Sequence, residues 1–233
     1  MTPLRKAVAA RVDEAVVRLP SVGLGVLVPG GLIVTAAHCI KWPAEGNMSL
    51  SDSSVEEIRT ADGRSIKTRT LAVEPIGDLA VLGELDGQAS PEFFEANNAY
   101  DDFCSATKPL ELAIHELDVG EPFDAYVFTH DKGIIPVRIR QNAIVAEHLW
   151  FDADQRILGG TSGGPVVTPD GRLLGIVHTV GDSRRPGHQE GCVGTAARVH
   201  LVAPLWLVRK MVPPVIREKL NKVLPEGRLR LGD

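Results

Sequence analysis

Short apolar runs bounded by glycine, proline or aspartate recur along the whole chain. Two of them, residues 22–28 and 32–40, flank the turn PGG and predict a β-hairpin. Further runs of this kind are SIKTRTLAV, LAVLGEL, PFDAYVF, IIPVRIRQNAIVA, HLWF, GPVVT and RLLGIVHTV. Many short strands separated by turn signals predict an all-β fold, either a barrel or a sandwich.

Helical spacing occurs at the two ends of the chain. Valines and alanines three and four positions apart in residues 5–18 predict a short amphipathic helix within an N-terminal unit of residues 1–20. A similar spacing begins at Leu201 and predicts a C-terminal helix and tail over residues 201–233. We therefore expect two short terminal helices on a β fold.

A polar segment, residues 88–113, interrupts the rhythm of the strands. We expect it to connect two β subdomains, which we place at residues 21–100 and 101–207. A chain of 233 residues with 44% hydrophobic residues is large enough to give such subdomains a buried core.

The composition argues against several classes of partner and ligand. The formal net charge is −5 and no long basic run occurs, so we expect no nucleic-acid partner. No apolar run has the length of a secretory signal or a membrane span, so we expect no membrane association. Cys39, Cys104 and Cys192 cannot all pair and match no metal-binding spacing, which predicts no metal, no cofactor and a reducing, cytoplasmic location.

Three residues carry candidate chemistry in the order His38, Asp78, Ser162. Ser162 lies in GTSGGP, where missing side chains let a substrate backbone approach and let N–H groups converge. His38 follows an apolar strand, and Asp78 precedes the buried run LAVL, where an unpaired carboxylate is costly. Each motif alone also fits a turn, a packed histidine or a strand cap, but together they fit a base, its orienting acid and a nucleophile.

The motifs TAAHC, GDLAVL and GTSGGPVV, in this order, resemble the trypsin/chymotrypsin-like serine peptidases from about residue 21 to about residue 207. The resemblance implies two six-stranded antiparallel β-barrels of the chymotrypsin type, with the catalytic groups in the cleft between them. It also implies a serine endopeptidase that works through an acyl-enzyme on protein or peptide substrates. In that mechanism His38 is the general base and then the acid, Asp78 orients it, and Ser162 is the nucleophile.

The resemblance extends to the groups that would bind substrate. It implies an oxyanion hole formed by the N–H groups of Gly160 and Ser162. It places His178, Thr179 and Val180 along the cleft, with His178 near Asp78, and Gly194 at the wall of the specificity pocket. For His178, an ordinary packed side chain is an equal alternative. Arg156 falls at the base of that pocket, which predicts a preference for an acidic side chain before the cleaved bond, although a solvated loop arginine is an equal reading.

Two departures from the family change the expected activation. Thr161 stands before the serine where secreted members have an aspartate that pairs with a new N-terminus, so we expect no activation of that kind. Cys39 follows the histidine, but the preceding strand, residues 23–28, supplies no cysteine to pair with it. The chain is therefore more similar to bacterial intracellular trypsin-like domains, and to the protease core of the HtrA group without its PDZ module, than to digestive enzymes.

Two other functions remain to be weighed against a peptidase. GTSGG also satisfies the nucleophile elbow of α/β-hydrolases, but that fold needs long helices between its strands, and the segments here are too short and too rich in glycine. The second alternative is a trypsin-like fold that acts as a regulatory or binding module, with a site that is idle or that a partner or attached domain activates.

Overall fold

A computed structural model of the chain describes residues 3–20, 23–42, 55–75, 77–113, 122–141, 149–153, 155, 157–179 and 199–204. Within these ranges twelve strands form two closed antiparallel barrels of six strands each. The prediction of an all-β fold with two six-stranded barrels is confirmed. An α/β-hydrolase architecture is excluded, because all strand pairs within the barrels are antiparallel.

The first barrel closes in the order β1-β2-β3-β6-β5-β4. Its strands are β1 (Val16–Leu19), β2 (Gly23–Val28), β3 (Leu32–Ala36), β4 (Val55–Arg59), β5 (Ser65–Glu74) and β6 (Leu79–Gly83). Every residue of β2, β3 and β6 is buried, which explains why these strands read as continuous apolar runs. Their side chains share one core cluster with apolar residues of the second barrel.

The second barrel closes in the order β10-β11-β12-β9-β8-β7. Its strands are β7 (Phe123–Thr129), β8 (Gly133–Gln141), β9 (Leu149–Asp152), β10 (Pro165–Val167), β11 (Leu173–Thr179) and β12 (Val199–Pro204). A separate cluster fills its interior, with Phe151 and Ile139 fully buried at its centre. The second barrel thus has a core of its own, and the two barrels share a further core.

The N-terminal helix is shorter than the sequence predicts. Helix α1 (Lys6–Ala15) ends where Val16 adopts extended backbone, and β1 then pairs with β2 from Val16 to Leu19. Consecutive β-branched residues favour the strand over continued helix. The first barrel therefore begins at Val16 rather than at residue 21.

The predicted connecting segment contains a helix, α2 (Pro91–Ala106). Ser90 caps it by accepting a hydrogen bond from the N–H of Glu92, and a proline occupies the first turn. Tyr100 donates its hydroxyl to the carbonyl of Gly31 at 2.7 Å, so the helix is docked on the first barrel. The boundary predicted at residue 100 consequently lies inside α2.

The predicted C-terminal helix is wrong over its first residues. Residues 199–204 form β12, in which Leu201 pairs with Trp150 of β9 and Ala203 pairs with Ile176 of β11. Ladder pairing on both sides of the strand overrides the helical spacing of its apolar residues. Residues 205–233 lie outside the described residues. None of the helices in the described ranges is long and apolar enough to cross a membrane.

The same hairpin turn occurs at corresponding places in the two barrels. TADGR (60–64) joins β4 to β5, and TPDGR (168–172) joins β10 to β11. In both, the threonine hydroxyl donates to the aspartate, the arginine Nε donates to the same aspartate at 2.7 Å, and the glycine has a positive φ. The matching hydrogen bonds show that the two turn sequences adopt the same conformation in both barrels.

The second of these hairpins lies close to helix α1. Arg11 of α1 donates to the carbonyls of Asp170 and Gly171 at 3.0 and 3.1 Å. A Cβ placed on Gly171 would lie 2.4 Å from Cγ1 of Val8, whereas one placed on Gly63 meets nothing within 4 Å. Gly171 therefore allows α1 to dock on the second barrel.

We predict that Gly171→Ala destabilises the protein more than the matched variant Gly63→Ala. Both replacements put alanine at a positive φ, which costs about 1–2 kcal/mol. Gly171→Ala adds the overlap with Val8, for a total of roughly 2–4 kcal/mol in the free energy of unfolding. Urea denaturation measures both values. Adding Val8→Ala should recover part of the loss at Gly171, and equal losses for the two alanine variants would contradict the docking role.

Candidate active site

His38 lies at the mouth of the first barrel, in a 3-10 turn (Ala37–Cys39) that follows β3. The flanking Ala37 and Cys39 are buried, and the small alanines let the chain turn tightly at this point. The His38 side chain is 51% exposed, so its imidazole is accessible from solvent. The ring is thus fixed by its surroundings and still accessible.

Asp78 holds the histidine turn with three hydrogen bonds. Its main-chain carbonyl accepts from Ala37 N at 3.0 Å, Oδ1 accepts from His38 N at 2.8 Å, and Oδ2 lies 2.6 Å from His38 Nδ1. Asp78 has φ 52°, and it is the only non-glycine residue with a positive φ in the described part of the chain. Aspartate tolerates this conformation better than most residues, and here it lets one residue present both its carbonyl and its carboxylate to the same turn.

A second imidazole reaches the same carboxylate from the other barrel. His178 of β11 places Nδ1 2.7 Å from Asp78 Oδ2, so both rings meet one oxygen atom. A carboxylate only accepts hydrogen bonds, so each ring presents a protonated Nδ1 to it. The predicted position of His178 near Asp78 is what the structure shows.

These contacts shift the ionisation of the acid and the base in opposite directions. Burial alone would raise the pKa of Asp78, but hydrogen bonds from His178 and His38 outweigh it and lower this pKa to about 2. The hydrogen bond to Asp78, with a smaller contribution from Cys39, raises the pKa of His38 well above its ordinary value. Asp78 therefore stays ionised and stabilises the imidazolium form of His38.

Ser162 lies in a loop that both barrels hold. Its carbonyl accepts from Leu24 N of the first barrel at 2.8 Å. The next residue, Gly163, donates its N–H to the carbonyl of Val177 in β11 at 2.7 Å, and Gly164 accepts from Val177 N at 2.9 Å. The loop backbone is consequently fixed by both barrels, at the nucleophile candidate and directly after it.

Gly163 of this loop is required by space as well as by conformation. Gly163 has φ +79°, and a Cβ there would lie 1.9 Å from the carbonyl oxygen of Leu24. Gly160 also has a positive φ, of 91°. The run GGTSGG is therefore more than a turn motif, because the close backbone contact with Leu24 cannot form with any other residue at 163.

Thr161 is fully buried, and its hydroxyl accepts a hydrogen bond from His130 N at 3.3 Å. His130 belongs to the turn between β7 and β8. The residue before Ser162 is thus supported by a neighbouring hairpin of its own barrel.

Cys39 carries a buried thiol whose Sγ lies 3.7 Å from the carbonyl oxygen of Ser162. A Cβ placed on Gly23 would lie only 2.5 Å from this sulfur. The thiol therefore fills the space beside Gly23, at the start of the strand in which the sequence offers no disulfide partner. Gly23 and the backbone of Leu24 were not identified as site residues from the sequence, although a glycine within a β-branched strand signals close approach of another group.

Several predicted substrate-binding residues cannot be compared with the structure. Arg156, Val180 and Gly194 lie outside the described residues, and only the backbone of Thr179 is described. No group of three or more histidine, cysteine, aspartate or glutamate side chains in the described ranges is arranged to hold a metal ion.

Comparison with known proteins places this geometry in a family. A profile described as the trypsin-like peptidase domain matches residues 23–176, which is more than half of the chain. The chain belongs to this family. The matched range contains His38, Asp78 and Ser162, whereas Val177 and His178 lie just beyond its end.

One curated relative is a probable periplasmic serine endoprotease, DegP-like, from Chlamydia pneumoniae, which is 26% identical over 156 residues. The match covers 66% of this chain and 28% of the relative, so this trypsin-like peptidase domain corresponds to less than a third of that protein.

Two solved structures share the fold of the trypsin-like peptidase domain. The serine endoprotease from Yersinia pestis aligns with a TM-score of 0.57 and 19% identity over 98% of this chain and 70% of that one. The Rv3671c protease of M. tuberculosis H37Rv, in an inactive form, aligns with a TM-score of 0.52 and 17% identity over 96% and 98% of the two chains.

We predict that Gly23→Ala destabilises the protein because its new methyl group overlaps the thiol of Cys39. The expected loss in the free energy of unfolding is about 2–3 kcal/mol. In a Cys39→Ala background the same replacement should cost less, because the sulfur is gone. Denaturant unfolding of the four proteins in this cycle measures the coupling, and additive losses would show that the two sites do not compete for space.

Proposed function

We propose that this chain is a serine endopeptidase in which Ser162 is the nucleophile, His38 the general base and Asp78 the residue that orients the base. The observation that carries the proposal is the three-bond attachment of the His38 turn to Asp78, opposite a serine loop that both barrels hold. A buried carboxylate paired with a half-exposed imidazole is suited to moving a proton at the cleft.

The hydrogen bond from Nδ1 to Asp78 sets the tautomer of His38. With the proton on Nδ1, the lone pair on Nε2 accepts the hydroxyl proton of Ser162 as its Oγ attacks the substrate carbonyl. The resulting imidazolium then donates that proton to the leaving amine, and the acyl group stays on Ser162. His38 next removes a proton from a water molecule, which attacks the acyl carbonyl. The imidazolium then returns this proton to Oγ as the acyl C–O bond breaks, which releases the acid and restores Ser162 and neutral His38.

The developing oxyanion needs donors that are in place before the reaction. We assign this role to the backbone N–H groups of Gly160 and Ser162, which lie in the loop that Leu24 and Val177 hold. The positive φ of Gly160 supports the assignment, since a glycine can adopt the backbone turn that points successive N–H groups to one side. Loss of one such donor typically costs about 2.7–4 kcal/mol of transition-state stabilisation.

The proposed substrates are proteins or peptides, bound along residues 178–180, of which His178 and Thr179 end β11. The loop at Thr161 supports a cleft that does not depend on a new N-terminus, because the buried hydroxyl already bonds to His130. A partner or an attached domain remains a proposed means of control. A cytoplasmic location likewise stays a prediction.

We predict that a fluorophosphonate probe labels the wild-type protein and does not label Ser162→Ala. The probe reports an activated serine without requiring knowledge of the natural substrate. His38→Ala should also lose labelling and peptide hydrolysis, because the serine and the histidine act as one proton-transfer unit. Circular dichroism would show that both variants remain folded. Retained hydrolysis in either variant contradicts the assignment, and a wild-type protein that stays unlabelled favours a binding module.

We predict that Asp78→Asn lowers kcat by about 10⁴-fold, since the amide favours the wrong tautomer of His38. The pKa of His38 is raised by the carboxylate, so replacing that carboxylate should lower it. Activity requires neutral His38 and rises with pH as this group loses its proton. The acid limb of the kcat/KM profile should therefore lie above pH 6.5 in the wild type and move to lower pH in Asp78→Asn; an unmoved limb contradicts the role of Asp78.

A further inference from the structure

The first barrel is closed loosely between β1 and β4. These two strands pair at a single position, Arg18 with Arg59, whereas β1 pairs with β2 at four positions and β4 pairs with β5 at five. The ladder cannot be extended at Pro20, which follows β1, because proline has no N–H to donate to β4. A seam therefore remains between the two strands.

A cavity of about 410 Å³ opens at this seam. It is lined by residues 18–20, by residues 57–59 of β4 and by Ser65 of β5, and we call it the seam cleft. Its volume lies within the range of about 300–1,000 Å³ that is usual for ligand pockets. We propose that the seam cleft binds an extended acidic segment of a partner protein, whose carboxylates contact Arg18 and Arg59. None of the proposed catalytic residues lines the cleft.

Two arginines face each other where the seam closes. Arg18 and Arg59 are directly opposite in the antiparallel register and both are exposed, so two positive charges lie on one face of the sheet. Like charges in this arrangement destabilise a strand pair. A carboxylate between the two guanidinium groups would accept hydrogen bonds from both and remove the repulsion.

An exposed arginine of the second barrel shows the opposite arrangement. Arg138 of β8 lies opposite Asp124 of β7 on one side and opposite Asp152 of β9 on the other. The neighbours of Arg59 at the corresponding register are Arg18 and Ser65, so neither supplies a negative charge. The charge that is balanced within the sheet at Arg138 is therefore left for a ligand at Arg59.

His130 of the second barrel holds the Arg18 side chain. Arg18 Nη1 donates to His130 Nδ1 at 2.9 Å, since a guanidinium group only donates. This hydrogen bond orients the guanidinium group before a ligand arrives and leaves its other N–H groups available. Less side-chain freedom is lost on binding as a result, which favours affinity.

The lining of the seam cleft favours a peptide over other anions. Leu19, Pro20 and Ile58 make the lining mainly apolar, and a single inorganic anion would leave this surface uncovered. A net charge of −5 opposes binding of a nucleic acid. Because side chains alternate along an extended chain, a peptide can place carboxylates on the arginines and an apolar side chain in the cavity.

Glu57 gives the seam cleft a direction. It is exposed two positions before Arg59, on the same face of β4, and it accepts a hydrogen bond from the hydroxyl of Ser65. Its carboxylate repels an acidic residue at that end of the cleft. We therefore expect the acidic residues of the ligand at the arginine end and an uncharged residue beside Glu57.

The test uses a fluorescein-labelled peptide of about eight residues in which glutamate and valine alternate. Fluorescence anisotropy measures its Kd for the Ser162→Ala protein, which cannot form an acyl-enzyme. In this background Arg59→Gln and Arg18→Gln should each raise Kd about tenfold. Glu57→Gln should lower Kd about two- to fivefold, because it removes a repulsive charge. Added salt should weaken binding of the peptide.

The matched control is Arg138→Gln, which removes the same charge from an exposed strand arginine outside the seam cleft. It should leave Kd nearly unchanged, and a peptide with glutamine in place of glutamate should bind at least about tenfold more weakly. Because Arg59→Gln removes the repulsion with Arg18, it should not lower the urea midpoint of unfolding. Folding of the variant is thus checked by the same prediction.

Several outcomes would overturn the proposal. These are a peptide that does not bind, a Kd that is unchanged in Arg59→Gln or raised equally in Arg138→Gln, and a Glu57→Gln variant that binds no more tightly. Displacement of the peptide by inorganic phosphate or by a single-stranded oligonucleotide at concentrations below the peptide's own Kd would identify a different anion site. A peptide bound in the catalytic cleft would show none of the shifts expected at Arg59 and Glu57.

Discussion

The buried charge of Asp78 is the constraint on which the rest of the site depends. An ionised carboxylate in a low-dielectric environment is strongly unfavourable unless hydrogen-bond donors surround it. Here the donors are the N–H of His38, its Nδ1 and the Nδ1 of His178. One of the three comes from the second barrel, so the charge is stabilised fully only when both barrels are folded and correctly placed.

The nucleophile loop likewise depends on contacts from both barrels. Ser162 belongs to the second barrel, but its carbonyl is bound by Leu24 of the first, and the space that makes this contact possible depends on Gly163. Acid and nucleophile each have hydrogen bonds from both barrels, including the one to which they do not belong. Formation of the cleft and formation of the catalytic geometry are therefore one physical event, which suits a fold whose barrels share a core.

Strands β4 and β12 were not predicted from the sequence, and each failure has a physical reason. β4 reads VEEIR, and its two buried residues are Glu56 and Ile58; Glu56 is fully buried and accepts a hydrogen bond from Lys41 N at 2.6 Å. A buried carboxylate breaks the apolar alternation by which a strand is recognised. In β12 the apolar residues satisfy a helical spacing and an alternating one, and only pairing with β9 and β11 decides between them.

The proposed catalytic residues were accessible to sequence reasoning because each lies in a short motif with its own local chemistry. The links between motifs were not, because they join residues far apart in the chain: Leu24 with Ser162, Gly23 with Cys39, and Thr161 with the backbone of His130. The hydrogen bond between Thr161 and His130 changes the interpretation of the aspartate that is missing before Ser162. Thr161 is not simply an absent activation switch, since its neutral hydroxyl forms a hydrogen bond where a buried aspartate would require a cation. Because Thr161 is neutral, the loop needs no cation at this position before it can adopt its ordered form.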